Sequence, residues 1–282
     1  MAIRIIADSA SDISQDKAKE WGITVLPLTL RFGDEEYLSG VNLSNHEFYE
    51  KLIETDEIPK TSQITPYTYE QAFEEATKNG DEVICFTLSS KVSGCFQSAT
   101  IAASDYEDQV SVVDTTQFCI AYYILVEYAV LLRDQGLSRE EIVVRVLEKS
   151  KKAKVLAVFD TLEYLKLGGR LSGAAALAGN ILSIKPVVTI EDGEVKVIGK
   201  ARGSKNGNNM LIQITKDLGG VDFSMPLCFG YSGLTDEMLQ KYISDGATLY
   251  EGKTDKLNIV SVGPTIGTYT GPGAIAVAFF HP

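Results

Sequence analysis

The chain has 282 residues, of which 45% are hydrophobic and 23% charged. That is enough for one large domain or two ordinary ones, with a core that needs neither disulfides nor a structural metal. A formal net charge of −12 repels a nucleic-acid backbone and an anionic leaflet over most of the surface, so we expect no nucleic-acid partner and at most transient membrane contact.

The apolar run Ile3–Ala7 reads as a buried strand that feeds the polar loop Asp8-Ser9-Ala10-Ser11-Asp12. A helix is expected to follow near Ile13, capped by Ser11 or Asp12. Thr24–Phe32 reads as extended and Gly33-Asp34 as a turn. Residues 45–53 read as a helix capped by Ser44 or Asn45, and residues 55–67, with Pro59 and Pro66, as a polar loop.

From Tyr69 onward helical and strand patterns alternate. Helices are expected over 69–78, 93–104 and 118–135, and strands over 82–88 and 110–113. Ser138-Arg139-Glu140-Glu141 is a capping box opening a further helix. This rhythm argues for βαβ units and a parallel sheet.

The second half reads differently. Strands are expected over 155–159, 185–190, 194–198, 227–231, 248–251 and 274–280, with Asp192-Gly193 as a hairpin turn. Helices are expected over 204–218 and 235–244. The pattern describes a mixed sheet carrying helices, and places the domains at 1–154 and 155–282.

Chemistry-bearing residues are few. The two histidines, His46 and His281, pair with no cysteine or carboxylate at metal-ligand spacing. They also leave no evident Ser–His or Cys–His nucleophile pair. Cys85, Cys95, Cys119 and Cys228 form no CxxC pair. They read as reduced cysteines of a cytoplasmic protein.

What remains is hydroxyls in loops. Thr61-Ser62-Gln63 lies between prolines, and Ser89–Gly94 follows a strand and opens a helix. Sites in parallel sheets gather at the carboxyl ends of the strands. Ordinary turns and caps account equally well for the same residues.

Gly168-Gly169-Arg170-Leu171-Ser172-Gly173 is a glycine-rich turn without the Lys and Ser/Thr spacing of a P-loop. Its Arg170 reads as an anion contact or as a surface ion-pair partner. Lys200–Lys205, with Arg202 inside it, reads as a solvated basic loop or a docking patch for an acidic partner or phosphate. Residues 263–273 are so dense in Gly, Pro and hydroxyls that a tight backbone path against a ligand is expected.

These same segments resemble the DegV family nearly end to end. The matching pieces run from IIADSASDIS through VLPLTLRFGDEEYLSGVNLSNHEFYEKL, PKTSQ, FTLSSKVSGCFQSA and VVDT. They continue with FDTLEYLKLGGRLSG, LSIKPVVTIEDGEV and GKARGSK, and close on VGPTIGTYTGPGAIAVAFF.

The resemblance implies a two-domain α/β fold, an N-terminal parallel-sheet α/β/α domain and a C-terminal mixed-sheet α/β domain. A long-chain fatty acid would lie in a buried tunnel between them. It implies a non-catalytic, cofactor-free subunit of a bacterial fatty acid kinase, which presents the carboxylate to a separate ATP-binding kinase subunit for acyl phosphate formation.

Carried over by motif, Thr61, Ser62, Ser93, Gly94, Thr268 and Tyr269 would hold the carboxylate. Arg170 and Arg202 would face the kinase or the phosphate. A stand-alone lipid sensor or storage protein is an alternative. A phosphoryl-transfer enzyme is another, with Asp8 and Asp12 as the only candidate metal-binding pair.

Three departures from the family pattern stand out. Tyr269 replaces the histidine usual before TGPG, Ile64 replaces the proline of TSQP, and residues 118–123 are bulkier than usual. A phenol donates a hydrogen bond but carries no positive charge. The bulk at 118–123 is expected to shorten or reshape the tunnel.

Overall fold

The computed structural model describes every residue except 1, 56, 107, 172–182, 251 and 253–256. The first half lays down β1 (Ile3–Asp8), α1 (Gln15–Trp21), β2 (Thr24–Leu26), β3 (Thr29–Phe32), β4 (Glu35–Leu38), α2 (Asn45–Glu54), β5 (Lys60–Ser62), α3 (Pro66–Thr77), β6 (Glu82–Thr87), α4 (Cys95–Ala103), β7 (Val110–Asp114), α5 (Cys119–Asp134) and α6 (Arg139–Ser150). The second half follows with β8 (Ala153–Val158), α7 (Glu163–Leu167), β9 (Ile184–Glu191), β10 (Glu194–Arg202), α8 (Ser204–Asp217), β11 (Cys228–Tyr231), α9 (Glu237–Asp245), α10 (Ala247–Tyr250), β12 (Asn258–Ser261), α11 (Pro264–Thr270) and β13 (Ile275–Phe280).

The expected α/β architecture is borne out. A parallel sheet of order β2-β1-β6-β7 carries the first half. A mixed sheet of order β10-β9-β8-β13-β11-β12 carries the second. All its neighbours are antiparallel except β11 and β12. A small antiparallel sheet, β4-β3-β5, was not anticipated.

Local chemistry explains most boundaries. Ser44 and Ser138 close capping boxes with Glu47 and Glu141, so α2 and α6 start where the sequence signals them. Asp192 and Gly193 both have positive φ, 52° and 81°, which is the primed turn that lets β9 and β10 twist together.

Three expectations fail, and a fourth takes an unforeseen form. The first helix is capped by Ser14, whose Oγ accepts from Lys17 N, while Asp12 sits in the left-handed region after a short 3-10 turn. The loop expected at 55–67 contains β5, and Pro66 occupies the first turn of α3, where its missing N–H costs nothing. Residues 247–250 form α10 rather than a strand, with Glu251 outside the described residues, and the strand missed nearby is β12. The tight path at 263–273 is largely the helix α11.

The mixed sheet packs on both faces, and its alternation shows which residue faces where. Leu156, Val158, Phe229, Val277 and Phe279 belong to the core beneath α8 and α9. Val155, Ala157, Val188, Cys228, Ala276 and Ala278 belong to the core shared with the parallel sheet. α5 lies across this second face, against β8, β11 and β13. The chain then returns: α11 leaves the mixed sheet and packs on α2, β3 and β5.

Candidate functional site: an apolar cavity between the two sheets

The face shared with the parallel sheet is not filled. A cavity of about 410 Å³ lies there, within the usual size range of small-molecule sites. Its walls are mainly aliphatic, including Leu28, Leu88, Val155, Ile190 and Ile266.

Strand register accounts for the space. Val188, Ala157, Ala276 and Gly230 are successive partners across β9, β8, β13 and β11, and all four line the cavity. The next row toward the middle of the sheet, which includes Val155, Ala278 and Cys228, is buried in the same core. Three small side chains in one row leave room that larger ones would fill.

Three polar residues of the cavity are linked to one another. Thr61, on β5, shares a 2.6 Å hydrogen bond with the phenol of Tyr269, on α11. The Arg170 guanidinium stacks on that ring, its Cζ 5.0 Å from the centroid, and donates to Gly168 O at 2.7 Å. Gly168 is needed for this: a Cβ there would lie 2.5 Å from Tyr269 Cδ1.

Ser93 precedes α4. Its hydroxyl accepts from Cys95 N and donates to Cys95 Sγ, both at 3.3 Å. The Gln63 amide occupies the space above Gly94 and donates to Ser98 Oγ at 3.0 Å. Ser62 and Gln63 are exposed, so the cavity meets solvent beside them.

Of the site residues expected from sequence, Thr61, Ser62, Ser93, Gly94, Tyr269 and Arg170 line this one cavity. Thr268 does not. It is buried, and its hydroxyl turns back along α11 to donate to Pro264 O at 2.9 Å. Arg202 lies outside the cavity, exposed at the end of β10. Ser172 and Gly173 of the glycine-rich turn lie outside the described residues.

Gln63 and Thr265 also line the cavity and were not singled out. Gln63 stood within the quoted TSQ motif. Thr265 carried no separate signal, since its place depends on a 2.9 Å bond to Ser9, 256 residues earlier.

The bulky stretch at 118–123 divides in two. Phe118 and Cys119 reach the cavity. Tyr122 instead donates to Phe86 O at 2.7 Å, and Tyr123 packs edge-on against Trp21. Ile64 is buried in the core.

The acidic pair is spoken for. Asp8 is fully buried and accepts from Ala10 N and Leu88 N. Asp12 accepts from Gly263 N at 2.8 Å, while its Oδ2 is buried with no hydrogen-bond partner. Burial pushes both carboxyls up to about 7. Among the described residues no group of three or more His, Cys, Asp or Glu gathers where a metal ion would sit. No described helix is long and apolar enough to cross a membrane.

The model of the DegV family of uncharacterised proteins matches residues 2–281. The chain belongs to the DegV family. A DegV domain-containing protein of Caldanaerobacter subterraneus is 36% identical over 280 residues, covering 98% of each chain. Among solved structures, a DegV family protein from Thermus thermophilus described by its fatty acid binding superposes with a TM-score of 0.90. It is 29% identical over the whole of both chains. A stearic acid-binding protein from Eubacterium ventriosum superposes with a TM-score of 0.88 at 26% identity, over 100% of this DegV chain and 98% of that one.

Proposed function

We propose that this DegV protein binds a long-chain fatty acid in the inter-sheet cavity and presents its carboxylate to a separate kinase subunit. The observation that carries the reading is the cavity itself: aliphatic walls with hydroxyls, an amide and a guanidinium among the lining, of which Thr61, Tyr269 and Arg170 are linked. Residues 1–154 and 155–282 are the two lobes that enclose the ligand.

The energetics fit that division of labour. Burial stabilises by roughly 0.8 kcal/mol per CH₂, so an alkyl chain of about 16 carbons gains on the order of 10 kcal/mol before binding costs. A carboxylate only accepts hydrogen bonds, at about four lone-pair positions. Thr61, Ser62, Ser93 and Tyr269 supply donors, and Arg170 adds a charge-assisted one. Tail burial therefore provides affinity and the hydroxyl group fixes the head.

In this reading the protein carries no cofactor and works in the cytoplasm, where its four cysteines stay reduced. All four are free and buried. Arg202, exposed at the end of β10, meets the kinase subunit or the acyl phosphate. A lipid-sensing or storage role is the second reading. It is favoured by the neutral Tyr269 where the family resemblance expects histidine.

Denaturing extraction followed by mass spectrometry tests the ligand. One long-chain fatty acid per protein is expected, and an empty protein that also takes up none when offered it sinks the reading. Acyl phosphate formation with ATP and a fatty acid kinase subunit separates the two roles. Arg202→Ala should leave binding intact and slow that reaction.

A further inference from the structure

Resting on that reading of the cavity, we infer that chain selection is set by the row Ala157–Ala276–Gly230 and by the Ile120 side chain that closes it. The row crosses the mixed sheet at right angles to its strands. Adjacent strands lie about 4.8 Å apart, so the four positions from Val188 to Gly230 span ~14 Å. An occupant lying along this row crosses β8 and β13 over residues that end at Cβ.

The two neighbours in the middle, Ala157 and Ala276, face each other directly in register. Each is less than one-tenth exposed, so a longer side chain at either position has nowhere to go except into the cavity.

The far end is closed by a specific contact. A Cβ at Gly230 would lie 3.2 Å from Ile120 Cγ2, 3.3 Å from Ile120 Cδ1 and 3.6 Å from Val262 Cγ2. Ile120 and Val262 thus press onto the bare backbone of β11. The next partner in the row is Val260 on β12. It lines a separate cavity of about 350 Å³ beside Asp12 and Asn45. Ile120 covers the Gly230 end of the row from α5.

The two parts act in opposite directions. Filling the row removes carbon positions from its middle. Trimming Ile120 adds space at its end. Both leave the Thr61–Tyr269–Arg170 group untouched, so head-group capture stays constant while the preferred chain changes.

The experiment is fluorescent-acid displacement by decanoate, palmitate and eicosanoate on delipidated wild-type protein and on Ala276→Leu, Ala157→Val and Ile120→Val. For Ala276→Leu, palmitate affinity should fall at least tenfold while decanoate changes less than twofold. Ala157→Val should move the same way by a smaller factor, and supplies the result if Ala276→Leu does not fold. Ile120→Val should raise eicosanoate affinity relative to palmitate by threefold or more. Retained decanoate binding shows that each variant is folded. Folded variants with the wild-type order of chain preference overturn the inference. A wild-type protein that binds none of the three acids overturns the reading of the cavity instead.

Discussion

At the scale of single residues, Tyr269 is the informative substitution. Its phenol bonds Thr61 and its ring carries Arg170, so one side chain links the hydroxyls to the only cation lining the described cavity. Tyr269→Phe keeps the ring and removes the hydroxyl. A hydrogen bond of this kind contributes about 0.5–1.5 kcal/mol, so fatty-acid affinity should fall by up to about tenfold in a displacement assay. An unchanged affinity would show that the phenol does not hold the head group.

A second residue-scale prediction concerns pH. Burial raises Asp8, Asp12 and Glu127 each to about 7, against ~4 in an unfolded chain. Between about pH 4 and 7 the folded state keeps protons that the unfolded state releases. Stability therefore falls as pH rises through that window and levels off above it. Urea unfolding at pH 5 and pH 8 should show the loss, and Asp12→Asn should reduce it. Thr61, Ser93 and Arg170 were legible in the sequence because hydroxyls and a lone cation stand out in a loop. Thr268 does not line the cavity, because its hydroxyl has a local acceptor one helical turn back, which spacing alone does not reveal.

At the scale of elements, α11 decides how the two halves meet. Gly267 is its point of closest approach: a Cβ there would lie 2.5 Å from Phe48 Cε1 and 2.8 Å from Tyr49 Oη. Overpacking of this kind costs about 1–3 kcal/mol. Gly267→Ala should lower the urea midpoint accordingly and weaken fatty-acid binding, because Tyr269 rides on the displaced helix. An unshifted midpoint would mean that α2 gives way freely.

Elements with strong local grammar were readable in advance. The capping boxes at Ser44 and Ser138 and the Asp192-Gly193 turn fall where expected. β5 and β12 were not, because three or four residues such as Lys60-Thr61-Ser62 or Asn258–Ser261 show too little alternation to signal a strand. Their pairing with β3 and β11 makes them strands. The helix α11 was hidden by its own composition, since Gly267 lowers its intrinsic preference and glycines flank it at 263 and 271.

For the whole molecule, the α/β class and its two kinds of sheet followed from alternating and hairpin patterns. The cavity did not. It exists because Ala157, Ala276 and Gly230 come into register from three strands distant in sequence, and no local pattern marks them. A ligand held between the sheets binds only the folded state, so it should raise the melting temperature by mass action. At about 100-fold excess over Kd the expected gain is about 2.7 kcal/mol. Scanning calorimetry of delipidated protein with and without palmitate measures it, and coincident melting curves would count against a ligand at the interface.

The return of α11 also orders events in time. Thr61 meets Tyr269 across 208 positions of sequence, and Ser9 meets Thr265 across 256. A ribosome makes the hydroxyls of the first half long before it makes the segment that answers them. Until Pro264–Thr270 has been made and has packed on β5, Thr61 lacks its Tyr269 partner. A chain whose α11 has not yet packed on β5 therefore lacks the Thr61–Tyr269 pair, and in the proposed reading its head-group site is incomplete.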